Sequence, residues 1–199
     1  MIYQKSIKNE VSAVGVGLHT GQKVRVVLKP AKENTGIIFK RTDIKAPMEI
    51  KVDPQAVMET RLSSTIGKDG YKISTVEHLM SALSALGVDN ILIEVDGSEI
   101  PIMDGSSIPF VYLINSAILL EQSTLKKFAV IKDVIEVKDG EKFAKFEPYS
   151  GFLVDFRIDF PHPAFKQENS HVEIDFFKDS YVDDISRART FGFMQEVEY

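Results

Sequence analysis

Hydrophobic positions are patterned differently along the chain, and each pattern predicts its own kind of element. Lys23-Val24-Arg25-Val26-Val27-Leu28-Lys29 is a β-branched run closed by Pro30, which has no N–H to give a ladder, and it predicts a strand. Residues 36–41 predict a second short strand. Over residues 75–86 the apolar positions Val76, Leu79, Met80, Leu83 and Leu86 fall at the i, i+3, i+4, i+7 spacing of a helix. Ser74 and Glu77 form a Ser-x-x-Glu capping box at its start, and Gly87 suits its stop. Residues 89–95 predict a strand and Asp96-Gly97 a turn. Residues 106–119 predict a second, mostly buried helix, with Pro109 tolerated in the first turn.

Beyond a polar stretch, Glu121-Gln122-Ser123-Thr124-Leu125-Lys126-Lys127, a new set of strands begins. Residues 128–138 and 141–149 flank Asp139-Gly140 and predict a hairpin. Residues 151–160 alternate as a half-buried strand does, 171–177 predict another strand, and 179–188 a helix. Strands then helices, twice over, predict an α+β fold with helices on one face of each sheet. The polar stretch is the expected boundary, giving domains at 1–122 and 123–199.

Composition narrows the classes. The 199 residues carry 24 Lys+Arg against 29 Asp+Glu, a net charge of -5, with 44% hydrophobic and 27% charged residues, as in a soluble globular protein. The absence of Cys excludes disulfides, thiolate metal sites and a Cys nucleophile, and fits a reducing compartment. The N-terminus lacks the layout of a signal peptide, and no apolar run reaches the ~18 residues of a membrane span. Net negative charge without a basic stripe argues against nucleic acid as a partner. Any metal site must draw on His19, His78, His162 or His171 with carboxylates.

Candidate chemistry concentrates in a few places. Glu77 and His78 lie opposite the apolar stripe of their helix, among Ser81, Ala82 and Ala85. So small-sided a face suggests close packing or a cavity. His78 could ligate a metal while Glu77 acts as general base; equally, Glu77 completes the capping box and His78 is simply exposed. Spacing alone favours the second reading. His171 and Asp175 are four apart, but on a strand that separates them by ~13 Å, too far for one ion. His19 lies in a loop with three glycines, Gly15-Val16-Gly17-Leu18-His19-Thr20-Gly21, where it could touch a ligand or face water. His162, between two prolines, reads as a rigid-loop residue, and Phe160 as a core ring or a stacking one. Arg187-Ala188-Arg189-Thr190-Phe191-Gly192-Phe193 suits an oxyanion, or else a helix end with favourable positive charge.

Four strings in this order carry a resemblance: Gly15-Val16-Gly17-Leu18-His19-Thr20-Gly21, Ser74-Thr75-Val76-Glu77-His78-Leu79, Ile100-Pro101-Ile102-Met103-Asp104-Gly105-Ser106 and Ser186-Arg187-Ala188-Arg189-Thr190-Phe191-Gly192-Phe193. The chain closely resembles the zinc-dependent UDP-3-O-acyl-N-acetylglucosamine deacetylases of lipid A biosynthesis, from Met1 to Tyr199. The resemblance implies two α+β domains with an active site between them. It implies cytoplasmic hydrolysis of the N-acetyl group of UDP-3-O-(hydroxyacyl)-N-acetylglucosamine, with Zn2+ as cofactor. His78 matches a zinc ligand, Glu77 the general base and Thr190 the hydroxyl that stabilises the oxyanion. Asp159 and Phe160 match positions that hold the uridine, Phe160 by stacking. His19 matches a histidine near the site, and Phe191 is grouped with the substrate-binding residues.

The family also places two zinc ligands on a later helix, as His-x-x-x-Asp, and this sequence ends at Tyr199 before any such pair. The expectation is a shortened chain that binds zinc weakly and turns over little substrate. The alternatives are a UDP-sugar-binding module without catalysis, or a structural remnant. The sequence leaves the oligomeric state open.

Overall fold

The structure is a computed structural model that describes residues 1–159 and 170–192. The chain divides into two compact units, one formed by Met1–Lys126 with the described residues from Ile185 onward, the other by Lys127–Asp184. The fold is α+β.

In the first unit, β1 (Tyr3–Ile7) is followed by β2 (Val11–Val16), β3 (Lys23–Pro30), β4 (Ile37–Arg41) and β5 (Met48–Lys51). A short 3-10 turn at Pro54–Ala56 leads into a three-stranded antiparallel sheet of β6 (Val57–Glu59), β7 (Thr65–Lys68) and β8 (Tyr71–Ile73). Helix α1 (Glu77–Ala85), strand β9 (Ile91–Val95), helix α2 (Ile108–Ser116) and strand β10 (Leu119–Leu125) complete it. The main sheet has the order β2-β3-β9-β4-β5, with β9 at its centre, antiparallel to β3 and parallel to β4.

The period-2 pattern of the strands explains which side is covered. Val24, Val26 and Leu28 of β3, Phe39 of β4, Ile50 of β5, and Ile91, Ile93 and Val95 of β9 are buried. The helices bury Leu79, Ala82 and Leu83 of α1 and Ile108, Phe110, Val111 and Ile114 of α2. On alternate positions the sheet carries charge: Lys29 Nζ lies 2.7 Å from Glu94 Oε2, and Lys40 Nζ 3.7 Å from Glu94 Oε1. Such partly exposed pairs are worth ~1 kcal/mol at most, so apolar burial holds this sheet.

The polar stretch at the expected boundary is mostly strand, and the second unit begins after it, at Lys127. Strand β10 pairs antiparallel with β1, and none of its residues is fully buried. It is tied down by side chains instead of apolar packing. Glu33 accepts hydrogen bonds from the Ser123 N–H (2.6 Å), the Ser123 hydroxyl (2.7 Å) and the Thr124 hydroxyl (2.6 Å). Buried Asn90 donates to Gln4 (2.8 Å) and to Gln122 (2.7 Å), and its carbonyl accepts from Gly36 N–H (2.9 Å).

In the second unit, β11 (Ile135–Asp139) and β12 (Lys142–Phe146) form the hairpin predicted around Asp139-Gly140, with Gly140 at φ 59°. Strands β13 (Leu153–Arg157) and β14 (His171–Asp175) pair antiparallel. The helix predicted over 179–188 is only a π-helical turn, Tyr181–Ile185. Its polar residues bond locally: Ser180 N–H donates to Asp184 and the Ser180 hydroxyl to Asp183, each at 2.8 Å. Short polar side chains that capture nearby groups in this way compete with helix propagation.

Two outcomes test this account. Phe39 is fully buried, so Phe39→Ala lowers stability by about 3–5 kcal/mol in urea denaturation. The hydroxyls and N–H groups of Thr124 and Ser123 hold the Glu33 carboxyl down at about 2, from an ordinary 4.5. A depressed folded-state pKa stabilises above the unfolded value and is lost as protons return. Glu33 therefore supports the β10 junction above pH 4.5 and gives way as pH falls toward 2. Thermal melts should show Glu33→Gln losing less stability than the parent protein across that window.

Candidate active site

The helix start differs from the capping box read in the sequence. Ser74 forms a parallel bridge with Glu99: its N–H donates to Ser98 O (2.9 Å), its carbonyl accepts from Ile100 N–H (3.0 Å), and its hydroxyl donates to Ser98 O (3.2 Å). That hydroxyl is occupied and cannot cap. Thr75 then takes φ +58°, a left-handed conformation uncommon for a β-branched residue. This turn swings the chain out of the bridge, and α1 begins two residues later at Glu77, with Val76 as its N-cap and no side-chain cap bond.

Glu77 therefore serves a different donor. Its Oε2 accepts from the Ser64 N–H at 3.0 Å, while Ser64 O accepts from the Val76 N–H at 3.3 Å. The carboxylate sits in the first turn of α1, where the helix dipole favours negative charge. Glu77 and His78 are both half-buried. The small-sided helix face, expected to mark close packing or a cavity, is divided: Ala82 is buried, Ser81 half-buried and Ala85 exposed.

The glycine-rich loop is joined to this turn by Glu99, a residue the sequence reading passed over. Glu99 is 2% exposed. Its Oε1 accepts from His19 N–H (3.0 Å) and from the Thr75 hydroxyl (3.0 Å), and its Oε2 from Thr20 N–H (2.9 Å). Burial pushes the carboxyl up, but the donors from His19, Thr20 and Thr75 outweigh it and hold the group below the ordinary carboxylate range. In sequence, Glu99 is one acid behind the Asp96-Gly97 turn and looks like a solvated charge.

The glycines of the loop have a local cause. A Cβ on Gly17 would collide with Glu99 Oε2 and Thr20 Oγ1. One on Gly15 would stand 2.8 Å from the Pro101 Cβ and 3.3 Å from Met103 Sδ.

The segment 98–107 is the hub. Besides its bonds to Ser74 and the glycine loop, Ile102 N–H donates to Val16 O (3.0 Å). On its far side it holds the last of the four strings. Thr190 N–H donates to Gly105 O (2.8 Å), Ile108 N–H to Ser186 O (2.9 Å), and the Ser107 hydroxyl to Ser186 O (3.1 Å). Arg189 Nη2 lies 3.3 Å from Asp104 Oδ2. The Ser106 hydroxyl, followed by burial in the opposite sense and then by the Ser106 N–H and Arg189, leaves the Asp104 carboxyl below its ordinary value. The strings at 15–21, 74–79, 100–106 and 186–192 are thus bonded into one region of the first unit. Thr190 and Phe191 are exposed there, as is His19.

The remaining candidates lie elsewhere. Asp159 is exposed and belongs to the second unit. Phe160 and His162 lie outside the described residues. His171 and Asp175 occupy opposite ends of β14: His171 Nε2 is 3.0 Å from Asp155, whereas buried Asp175 accepts from Tyr149 (3.1 Å) and Phe177 N–H (3.0 Å). Each is engaged by its own partners at its own end of the strand. Among the described residues no group of three His, Cys, Asp or Glu side chains could hold a metal. A catalytic zinc takes three protein ligands, so the described residues do not make a complete zinc site.

The fit around Gly17 gives a test. Gly17→Ala forces the Glu99 carboxylate or the loop aside, and should cost about 1–3 kcal/mol in chemical denaturation. A change within about 0.5 kcal/mol would mean that the loop yields freely and that the contact is unimportant.

Comparison with known proteins bears on the region built by these strings. The family described as UDP-3-O-acyl N-acetylglycosamine deacetylase (LpxC) matches residues 4–199. The chain is 52% identical over 198 residues to the UDP-3-O-acyl-N-acetylglucosamine deacetylase of Thioalkalivibrio sulfidiphilus, covering 100% of this chain and 65% of that protein. It is 50% identical over 200 residues to that of Aliivibrio fischeri, and 50% over 199 residues to that of Cellvibrio japonicus, covering in each case 100% of this chain and 66% of the relative. The chain thus spans just under two thirds of the length of these curated relatives. Half of all positions are identical and the match runs through all four of the interlocked strings, so this chain belongs to the UDP-3-O-acyl-N-acetylglucosamine deacetylase family.

Proposed function

We propose that the protein hydrolyses the N-acetyl amide of UDP-3-O-acyl-N-acetylglucosamine in lipid A biosynthesis, releasing acetate, and that it does so in the cytoplasm. The observation that supports this most is the joining of the Glu77, His19 and Thr190 segments through residues 98–107 in a member of this family. No helix among the described residues is long and apolar enough to cross a membrane.

The roles follow from the chemistry of amide hydrolysis. Water adds to the acetyl carbonyl, and Glu77 accepts its proton. The Ser64 N–H on Oε2 orients that carboxylate. The carbonyl oxygen becomes an oxyanion, and the Thr190 hydroxyl donates to it. The segment carrying Thr190 is anchored through its main chain at Gly105, so the anchor leaves the hydroxyl out of its bonding. The C–N bond then breaks, with the proton passing to the departing amine. Asp159, with Phe160, holds the uridine, and His19 and Phe191 contact the substrate. Zinc is the proposed cofactor, with His78 as one ligand. The described residues do not supply the other two, and no step above depends on the metal.

A second reading, binding of the UDP-sugar without turnover, is favoured by that missing ligand set. An acetate-release assay with zinc supplied separates the two. Slow turnover, below the ~1 s⁻¹ of ordinary enzymes, is expected, falling about 100-fold further in Glu77→Gln. Release that Glu77→Gln leaves unchanged overturns the base assignment, and turnover in the ordinary range overturns the incomplete site. No release at all, with micromolar UDP binding by calorimetry, establishes the binding module instead.

A further inference from the structure

We propose that Glu99 is a positioning residue, whose buried carboxylate sets the glycine-rich loop and the start of α1 in one fixed arrangement. The inference rests on the deacetylase reading for what that arrangement serves, but its physical content is independent of turnover.

One oxygen of Glu99 carries both attachments. Oε1 takes the main-chain N–H of His19 and the hydroxyl of Thr75 at 3.0 Å each. The loop and the turn cannot move apart without leaving a buried carboxylate short of a donor. Thr75 is 3% exposed and holds φ +58°. Such a conformation persists in a β-branched residue only where its surroundings determine it. Glu99 does this from one side through the hydroxyl. The Ser74 bridge does it from the other, since Glu99 is the bridge partner of Ser74. Two residues on, Glu77 begins α1. A shift at Thr75 therefore reaches Glu77 and His78 along rigid backbone.

Gly17 points the same way. The side chain that a larger residue would displace is Glu99 itself, together with Thr20. Thr20 is exposed, and so is His19, yet both donate their N–H groups inward to this carboxylate. A loop that served only to connect two strands would gain nothing from burying a charge beneath it. Neutral donors hold that charge, so the arrangement is directional in a way a surface ion pair would not be.

The test is nuclear magnetic resonance of the 15N-labelled chain, with Glu99→Gln, Thr75→Val and Thr75→Ser. A Gln at 99 must present its NH2 to one of the inward N–H groups. In the parent protein the His19 and Thr20 amides should exchange at least tenfold more slowly than that of Leu18. Glu99→Gln should abolish this protection at one of the two amides, the one that faces the NH2, and move the Glu77 and His78 amide signals, while the β3–β9 ladder amides keep theirs. Thr75→Val should move the same two signals, and Thr75→Ser, which retains the hydroxyl, should restore them. Glu77 and His78 signals that stay in place in Glu99→Gln overturn the proposal, as do His19 and Thr20 amides that exchange as fast as Leu18. In acetate release, Glu99→Gln should lower kcat about tenfold with KM within twofold, and a loss confined to KM overturns the positioning role. Absence of release from the parent chain refutes the deacetylase reading, and the amide signals then decide the role of Glu99 by themselves.

Discussion

A buried carboxylate held by neutral donors is the constraint on which the candidate site depends. Removing Glu99 from water is costly, and the N–H groups of His19 and Thr20 and the hydroxyl of Thr75 offset that cost only while all three stay in place. Loss of one donor would return much of the desolvation penalty. The loop, the left-handed turn at Thr75 and the start of α1 therefore form one unit. The absence of a side chain at Gly17 belongs to the same constraint, because the carboxylate fills that space.

Beneath this layer the main sheet does a simpler job. Strand β9 lies between β3 and β4, and its inward residues Ile91, Ile93 and Val95 are fully buried. The chain leaves β9 through the Asp96-Gly97 turn and enters the 98–107 segment directly. Gly97 itself is pressed against Val24 of β3, where a Cβ would stand 2.9 Å from Val24 Cγ2. The central strand of the main sheet thus delivers the segment that all four strings share. Function on loops anchored to a firm scaffold is the general arrangement, and here the anchor is one strand long.

What could be read in the sequence depended on how local its physical cause was. Alternating residues in β3, the Asp139-Gly140 hairpin and the apolar stripe of α1 each state their structure within ten residues, and each is found. The start of α1 was misread because Ser74 and Glu77 satisfy the capping pattern, whereas a bridge to Glu99, 25 residues away, had already engaged Ser74. Strand β10 is not legible in its own polar residues, because its partners, Glu33 and Gln4 among them, lie about 90 or more residues away. Glu77, His78, His19 and Thr190 stood out through their strings. Glu99 did not, since nothing near an acidic residue in the chain announces that it will be buried.

Composition, periodicity and the four strings were enough to determine an α+β chain, its main strands and helices, and its family. They were enough because side-chain periodicity and turn chemistry act over a few residues and are written where they act. The tertiary structure alone decided that Thr75 turns left-handed, that Glu77 takes the Ser64 N–H, and that one carboxylate joins the glycine loop to the helix. Those outcomes are contests among donors and acceptors far apart in the chain, and burial settles them only once the sheet has brought the competitors together.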